Sequence, residues 1–122
     1  MGGQGALHLA LNHPDTFRIV GAHSPALRSH KDSPPFFGDE AWFARFDPLT
    51  LAARGRLPSR LTAWIDVGEN DRWRGESERL AASLERGGAK VDLRIFKGRH
   101  EGDYWKAHMR DYVRFYGEAL RA

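Results

Sequence analysis

The feature that most constrains the fold is the alternation of short strand-like runs with helical segments. Three runs, 17–22, 61–67 and 91–96, have the length and apolar content of buried strands. Apolar residues at helical spacing follow the second and third runs, over 73–86 and 104–120. Because strands that alternate with helices are joined by crossover connections, the sequence predicts an α/β fold with a parallel sheet of about three strands and flanking helices.

The last of these helices is the most clearly amphipathic segment of the chain. Its spacing predicts an inner face that packs on the sheet, since apolar residues three and four apart share one side of a helix. The side chains expected on that face are Trp105, Met109, Tyr112, Val113 and Tyr116.

The chain opens on a glycine-rich segment, 1–5, followed by a short predicted helix over 6–11 that ends before Pro14. In an alternating chain such a glycine-rich turn joins a strand to its helix, yet no strand-like run precedes this one. We therefore expect a strand ahead of Met1 and interpret the chain as the carboxy-terminal part of a larger domain. The glycines are expected to form a turn and, in the chain as given, a flexible start.

Residues 26–60 interrupt the alternation, within what we interpret as one partial domain over 1–122. Prolines and aromatic residues are concentrated there, so the segment is predicted to be an irregular excursion with short helices over 39–46 and 48–54. A small basic run, made by Arg54, Arg56 and Arg60, is most simply a solvated surface. A site for phosphate or an acidic substrate is the alternative.

Composition and charge exclude several classes of protein. The 19 basic and 16 acidic residues leave a net charge of +3 and are mixed along the chain, which argues against nucleic-acid binding. The absence of cysteine removes disulfides, thiolate nucleophiles and cysteine-based metal sites. No apolar run is long enough to predict a membrane span. A cytoplasmic location is the default expectation, because any targeting signal would lie upstream of Met1.

Candidate catalytic side chains follow the predicted strands. Open α/β sheets place their sites at the carboxyl ends of strands, here 24–25, 68–71 and 97–101. Asp71 offers a carboxylate at the second end and His100 an imidazole at the third. A carboxylate that holds an imidazole, and an imidazole that deprotonates a hydroxyl, are two parts of a nucleophilic triad. The third part is expected at the turn immediately before Met1.

Each candidate also has a simpler interpretation. Asp71 could cap the helix that begins near Trp73, and His100 could be an ordinary exposed loop histidine. Asp66 is a rival acid, but it lies inside an apolar strand. The run after His100 reaches Tyr104 where a zinc protease would have its second histidine, so no metal site is expected.

The quoted motifs resemble a known family. Residues 1–7, Met-Gly-Gly-Gln-Gly-Ala-Leu, resemble the latter half of the nucleophile elbow of α/β-hydrolases, G-x-S-M-G-G-x-G-A. More narrowly, the chain resembles the esterase family that includes S-formylglutathione hydrolase, enterochelin esterase and the mycolyltransferases. The likeness covers most of the chain and is weakest over 26–60; it continues at 13–17, 24–25, 66–71, 98–100 and 104–105. The serine of that family would be the residue just before Met1.

The resemblance implies a serine-type carboxylic-ester hydrolase that acts on a small-molecule ester without a cofactor or metal. His100 would be the general base and Asp71 the residue that orients it. The backbone amide of Met1 would help to form the oxyanion hole, and Gly2 and Gly3 would allow the tight turn. The chain as given carries acid and base but no nucleophile, so by itself it is expected to be inactive.

The sequence leaves two alternatives open. The aromatic patch, defined as Phe36, Phe37, Trp42 and Phe43, either lines an acyl or alcohol pocket or forms a satellite hydrophobic cluster under a long loop. The alternative to an esterase is a non-catalytic α/β domain that serves binding or oligomerisation. The sequence does not predict an oligomeric state.

Overall fold

The computed structural model of the chain describes residues 1–55, 57–58 and 60–122. These residues form one parallel sheet in the order β1-β2-β3, flanked by α-helices. The strands are β1 (Ile19–His23), β2 (Thr62–Gly68) and β3 (Lys90–Phe96); the helices are α1 (Gly2–Asn12), α2 (Glu40–Ala44), α3 (Pro48–Ala53), α4 (Arg74–Arg86) and α5 (Gly102–Arg121). The α/β fold with a three-stranded parallel sheet is therefore confirmed.

The register of the sheet brings the three carboxyl ends together at one edge. His23 lies opposite Asp66, and Gly68 lies opposite Phe96. The loops that follow the strands consequently leave the sheet side by side, which is the condition for a shared site. Within the described residues β1 pairs with β2 alone.

The two faces of the sheet are covered by different kinds of side chain, aliphatic on one face and aromatic on the other. On one face, α1, α3 and α4 bury an aliphatic core in which Leu7, Ile65, Leu80 and Leu84 have no exposed surface. Burying each such side chain contributes about 1.5–3 kcal/mol. On the other face, α5 packs aromatic side chains against Trp64. Side chains alternate across a strand, so neighbouring residues of β2 serve the two faces in turn.

The glycine-rich start is helical, which corrects the prediction of a turn with a flexible start. α1 begins at Gly2 rather than at residue 6. The physical reason is close packing: a Cβ on Gly3 would lie 3.2 Å from the Cα of Pro25 and 3.5 Å from that of Ala22. Small residues there let the helix approach the end of β1, and that contact outweighs the weak helix propensity of glycine.

The predicted inner face of α5 is partly wrong. Tyr112 is buried and Tyr116 half-buried as expected, and Trp105 is half-buried, but Met109 and Val113 are exposed. The residues buried along this helix are Tyr104, Tyr112 and Phe115. The contact stripe is therefore displaced to a more aromatic side of α5, because the surface of the sheet that it covers is itself aromatic and polar.

The excursion contains the two predicted short helices, α2 and α3. Asp39 and Asp47 cap them by accepting hydrogen bonds from the amides of Trp42 and Thr50, at 2.8 and 3.0 Å. In the basic run, Arg54 and Arg60 are exposed, and Arg56 lies outside the described residues.

Among residues 1–55, 57–58 and 60–122, no helix combines the length and apolar character that crossing a membrane requires.

Candidate active site

The carboxyl ends of β2 and β3 are held together by their backbones. The amide of Asn70 donates to the carbonyl of Gly98 at 3.0 Å, and the amide of Glu69 donates to that of Phe96 at 2.7 Å. A Cβ on Gly68 would lie 2.4 Å from the Gly98 oxygen, and Gly98 itself has a φ of +122°. Glycine at both positions therefore permits the approach that brings the two loops into contact.

Asp71 uses its two carboxylate oxygens for two different contacts. Oδ1 accepts from the amide of Trp73 at 2.9 Å, and Oδ2 accepts from Nδ1 of His100 at 3.1 Å. The side chain is fully buried. Because α4 begins at Arg74 with Trp73 at its N-cap, Asp71 lies in the turn before the helix and is not its cap residue. The turn contact fixes the carboxylate while one oxygen stays available to the imidazole.

His100 is open on the side away from Asp71. Its side chain is 39% exposed, and its ring meets that of Trp105 edge-on with centroids 5.1 Å apart. Since an ionised carboxylate only accepts hydrogen bonds, the contact with Asp71 places a proton on Nδ1. Nε2 receives no hydrogen bond from the described residues. An imidazole in this tautomer can accept a proton at Nε2.

Met1, Gly2 and Gly3 lie at the neighbouring end of β1. Gly3 packs on Pro25, which follows that strand directly. The carbonyl of Met1 accepts a hydrogen bond from the Gly5 amide at 2.9 Å, as in the first turn of a helix. The structure thus brings Asp71 and His100 together, whereas no hydrogen bond among the described residues joins Met1–Gly3 to either of them.

The aromatic patch forms part of a cavity beside Met1. The cavity has a volume of about 320 Å³, and its other wall is formed by Met1 together with Gln4, Gly5 and His8 of α1. Phe36 and Phe37 stack with centroids 4.9 Å apart, and the ring of Phe36 is exposed. The patch therefore does not form a closed hydrophobic cluster; it opens toward the amino-terminal end of α1.

Asp66, the alternative candidate for the acid, makes its hydrogen bonds to other residues than His100. Its carboxylate is fully buried and accepts hydrogen bonds from four side chains: His23 Nδ1 at 2.6 Å, Trp64 Nε1 at 2.8 Å, the Tyr104 hydroxyl at 2.7 Å and the Tyr112 hydroxyl at 3.0 Å. Burial alone would raise the pKa of Asp66, but the donors from His23, Tyr104 and Trp64 outweigh it and hold the pKa below its ordinary value. Asp66 is thus a structural carboxylate between the sheet and α5.

Sequence reasoning missed the imidazole partner of this carboxylate, His23. Its ring stacks on Tyr112 with centroids 3.6 Å apart, and its Nε2 lies 3.3 Å from the Tyr116 hydroxyl. A signal was present in the sequence, because an aspartate inside an apolar strand needs buried donors. That signal does not say which residues supply the donors: in the structure the hydroxyls of Tyr104 and Tyr112 contact Asp66, while that of Tyr116 lies beside His23.

Comparison with known proteins agrees with this fold. The profile of the family described as "Putative esterase" matches residues 1–116. The chain is similar to an S-formylglutathione hydrolase from Agrobacterium tumefaciens, with 21% identity and a TM-score of 0.73 over 96% of this chain and 46% of that one. It is also similar to a fluorophosphonate-binding serine hydrolase from Staphylococcus aureus, with 19% identity and a TM-score of 0.69 over 92% of this chain and 49% of that one.

A ferulic acid esterase gives a third match, with 18% identity and a TM-score of 0.67 over 94% of this chain and 47% of that one. The chain thus spans slightly less than half the length of each of these structures. At such identities the structural matches establish the shared fold, while the family profile extends over nearly the whole chain. The chain accordingly belongs to the Putative esterase family.

Proposed function

We propose that Asp71 and His100 are the acid and the general base of a serine-type carboxylic-ester hydrolase, whose nucleophilic serine is contributed by a segment ahead of Met1. The observation that carries the proposal is the asymmetry of His100. A buried carboxylate holds Nδ1, while Nε2 faces away with no partner in the described chain. That is the arrangement a general base needs before it accepts a proton from a hydroxyl.

In this mechanism His100 Nε2 takes the serine proton as the serine oxygen attacks the ester carbonyl. The tetrahedral intermediate then collapses, the bond to the leaving alcohol breaks, and the imidazolium returns its proton to the departing oxygen. Water repeats the sequence on the acyl-enzyme and releases the carboxylic acid. Asp71 stabilises the imidazolium through the Nδ1 hydrogen bond and stays ionised.

The role proposed for Met1 depends on its backbone. In G-x-S-M-G-G the amide after the serine is an oxyanion donor, and the tight start of α1 at Gly2 and Gly3 would aim that amide at the developing negative charge. The packing of Gly3 on Pro25 supports this assignment, because it anchors the start of the helix at the sheet edge where Asp71 and His100 are found.

The proposed substrate is a small-molecule ester. The cavity beside Met1 supports an acyl or alcohol pocket at the aromatic patch, since its apolar rings lie next to the position where the serine would be. No cofactor or metal takes part in the proposed reaction.

The test begins with the coding frame upstream of Met1, where we expect a Gly-x-Ser run directly before the methionine. In the protein extended by that frame, His100→Ala should lower kcat for p-nitrophenyl acetate by at least about a thousandfold, as removal of a triad member does. His13→Ala, a change at an exposed histidine after α1, is the matched control and should leave kcat unchanged. A frame without the serine, or equal rates for the two variants, would contradict the proposal.

A further inference from the structure

Tyr104 links the segments that carry the two members of the candidate pair. It lies in the first turn of α5, directly after the loop that contains His100, and its hydroxyl donates to Asp66 Oδ2 at 2.7 Å. Asp66 belongs to β2, the strand that leads into Asp71. One buried hydrogen bond therefore joins the start of α5 to β2, the strand that precedes Asp71.

The ring of Tyr104 also packs against the backbone of the loop that contains His100. A Cβ on Gly98 would lie 3.0 Å from Tyr104 Cδ2, so the loop backbone rests against the tyrosine ring. The next residue, Trp105, makes the edge contact with His100. The loop is thus fixed at its beginning to the turn that follows β2, through the Asn70–Gly98 hydrogen bond, and at its end to β2 itself, through Tyr104.

We infer that Tyr104 is a positioning residue for His100: its hydrogen bond to Asp66 fixes the first turn of α5 and so holds the imidazole with Nδ1 toward Asp71. The inference rests on the proposed function, because the orientation of the ring matters only if His100 acts as the base. Nothing in this role requires Tyr104 to touch a substrate.

Tyr112 provides a matched comparison for the same chemical group. Its hydroxyl donates to the same atom, Asp66 Oδ2, at 3.0 Å and from the same helix, but from a point further along α5. Burial and the nearby carboxylate raise the pKa of both tyrosines, so both hydroxyls keep their protons and act as donors. Removing either hydroxyl deletes one hydrogen bond to one acceptor, and only Tyr104 adjoins the His100 loop.

The experiment compares Tyr104→Phe with Tyr112→Phe in the full chain, with sulfate present to favour the folded state. Long-range ¹H–¹⁵N spectra of the His100 ring report which nitrogen carries the proton in the neutral imidazole. We expect Tyr104→Phe to lower the ratio of Nδ1-protonated to Nε2-protonated rings by at least about twofold, the lower end of coupling between neighbours in one network. Tyr112→Phe should leave that ratio unchanged.

Equal ratios in the two variants would overturn the inference, whether both change or neither does. A Tyr104→Phe chain that stays unfolded while Tyr112→Phe folds would overturn it too, because the hydroxyl would then be a general support of the fold. A third variant, Asp71→Ala, distinguishes failure of the inference about Tyr104 from failure of the proposed function. If the His100 ratio is insensitive to Asp71→Ala, the acid–base pair itself fails, and with it the proposed function.

Discussion

Within the described residues, two carboxylate–imidazole pairs lie near the carboxyl ends of neighbouring strands, and they differ in what surrounds the second ring nitrogen of the histidine. In the pair of Asp71 and His100, Nε2 has no partner in the described chain, and 39% of the histidine side chain is exposed. In the pair of Asp66 and His23, Nε2 meets the Tyr116 hydroxyl, the ring stacks on Tyr112, and the exposure falls to 22%.

The shorter contact belongs to the pair with no proposed chemistry. The distance from His23 Nδ1 to Asp66 Oδ1 is 2.6 Å, whereas that from His100 Nδ1 to Asp71 Oδ2 is 3.1 Å. A close, buried pair is therefore no guide to catalysis by itself, because a base must also have an open nitrogen. We therefore expect Asp66 to stabilise the fold, while the catalytic role proposed above belongs to Asp71, and substitutions at the two pairs should have different effects.

The largest effect on stability is expected from Asp66→Asn. An asparagine offers an amide group where four donors converge on two carboxylate oxygens, so at least one buried donor loses its acceptor. We expect the free energy of unfolding in urea to fall by about 3 kcal/mol, the cost of breaking a buried charged network. Asp92→Asn on the exposed edge strand β3, where Arg94 is the partner at 2.6 Å, should cost less than about 1 kcal/mol. Similar costs for the two variants would mean that the buried network contributes little.

Part of that difference should disappear in acid. The pKa of Asp66 is held below its ordinary value of 3.8 in the folded chain, so the charged form is stabilised by folding. This contribution is complete above pH 3.8 and is lost as the pH falls through the folded pKa. Urea unfolding of the unsubstituted protein and of Asp66→Asn should therefore give stability curves that converge below about pH 4. Curves that stay parallel down to pH 2 would show that the carboxylate is not the titrating group.

The two pairs also differ in how far sequence could predict them. Asp71 and His100 follow strands, and strand ends can be located from local periodicity, so the sequence could offer both as candidate site residues. His23 and Asp66 meet only because β1 and β2 lie in register, and Tyr104 and Tyr112 join them only once α5 is packed on the sheet. Such contacts join residues far apart in the chain, and no local pattern encodes them.

The same reasoning explains the two errors in the helices. Periodicity identified α5 but not the side that faces the sheet, since Met109 and Val113 are as apolar as the residues actually buried. The start of α1 at Gly2 was missed because helix propensity disfavours glycine, whereas tertiary packing against Pro25 favours it. In each case the element was correctly located, and the long-range contact set its exact face or start.

A smaller effect than that of Asp66→Asn is expected from Tyr116→Phe, which leaves Nε2 of His23 without its hydroxyl neighbour, as Nε2 of His100 is in the other pair. It removes the hydroxyl that lies 3.3 Å from His23 Nε2 and leaves the contact with Asp66 in place. The unfolding free energy should fall by about 1 kcal/mol, since one long, partly buried hydrogen bond is lost. If the extended protein hydrolyses esters as proposed, kcat for p-nitrophenyl acetate should not change in Tyr116→Phe. The residual rate of His100→Ala should likewise not rise when Tyr116→Phe is added. A rise in that rate would mean that an open Nε2 on any buried carboxylate–imidazole pair suffices, and that the position of His100 at the strand ends is not what makes it the base.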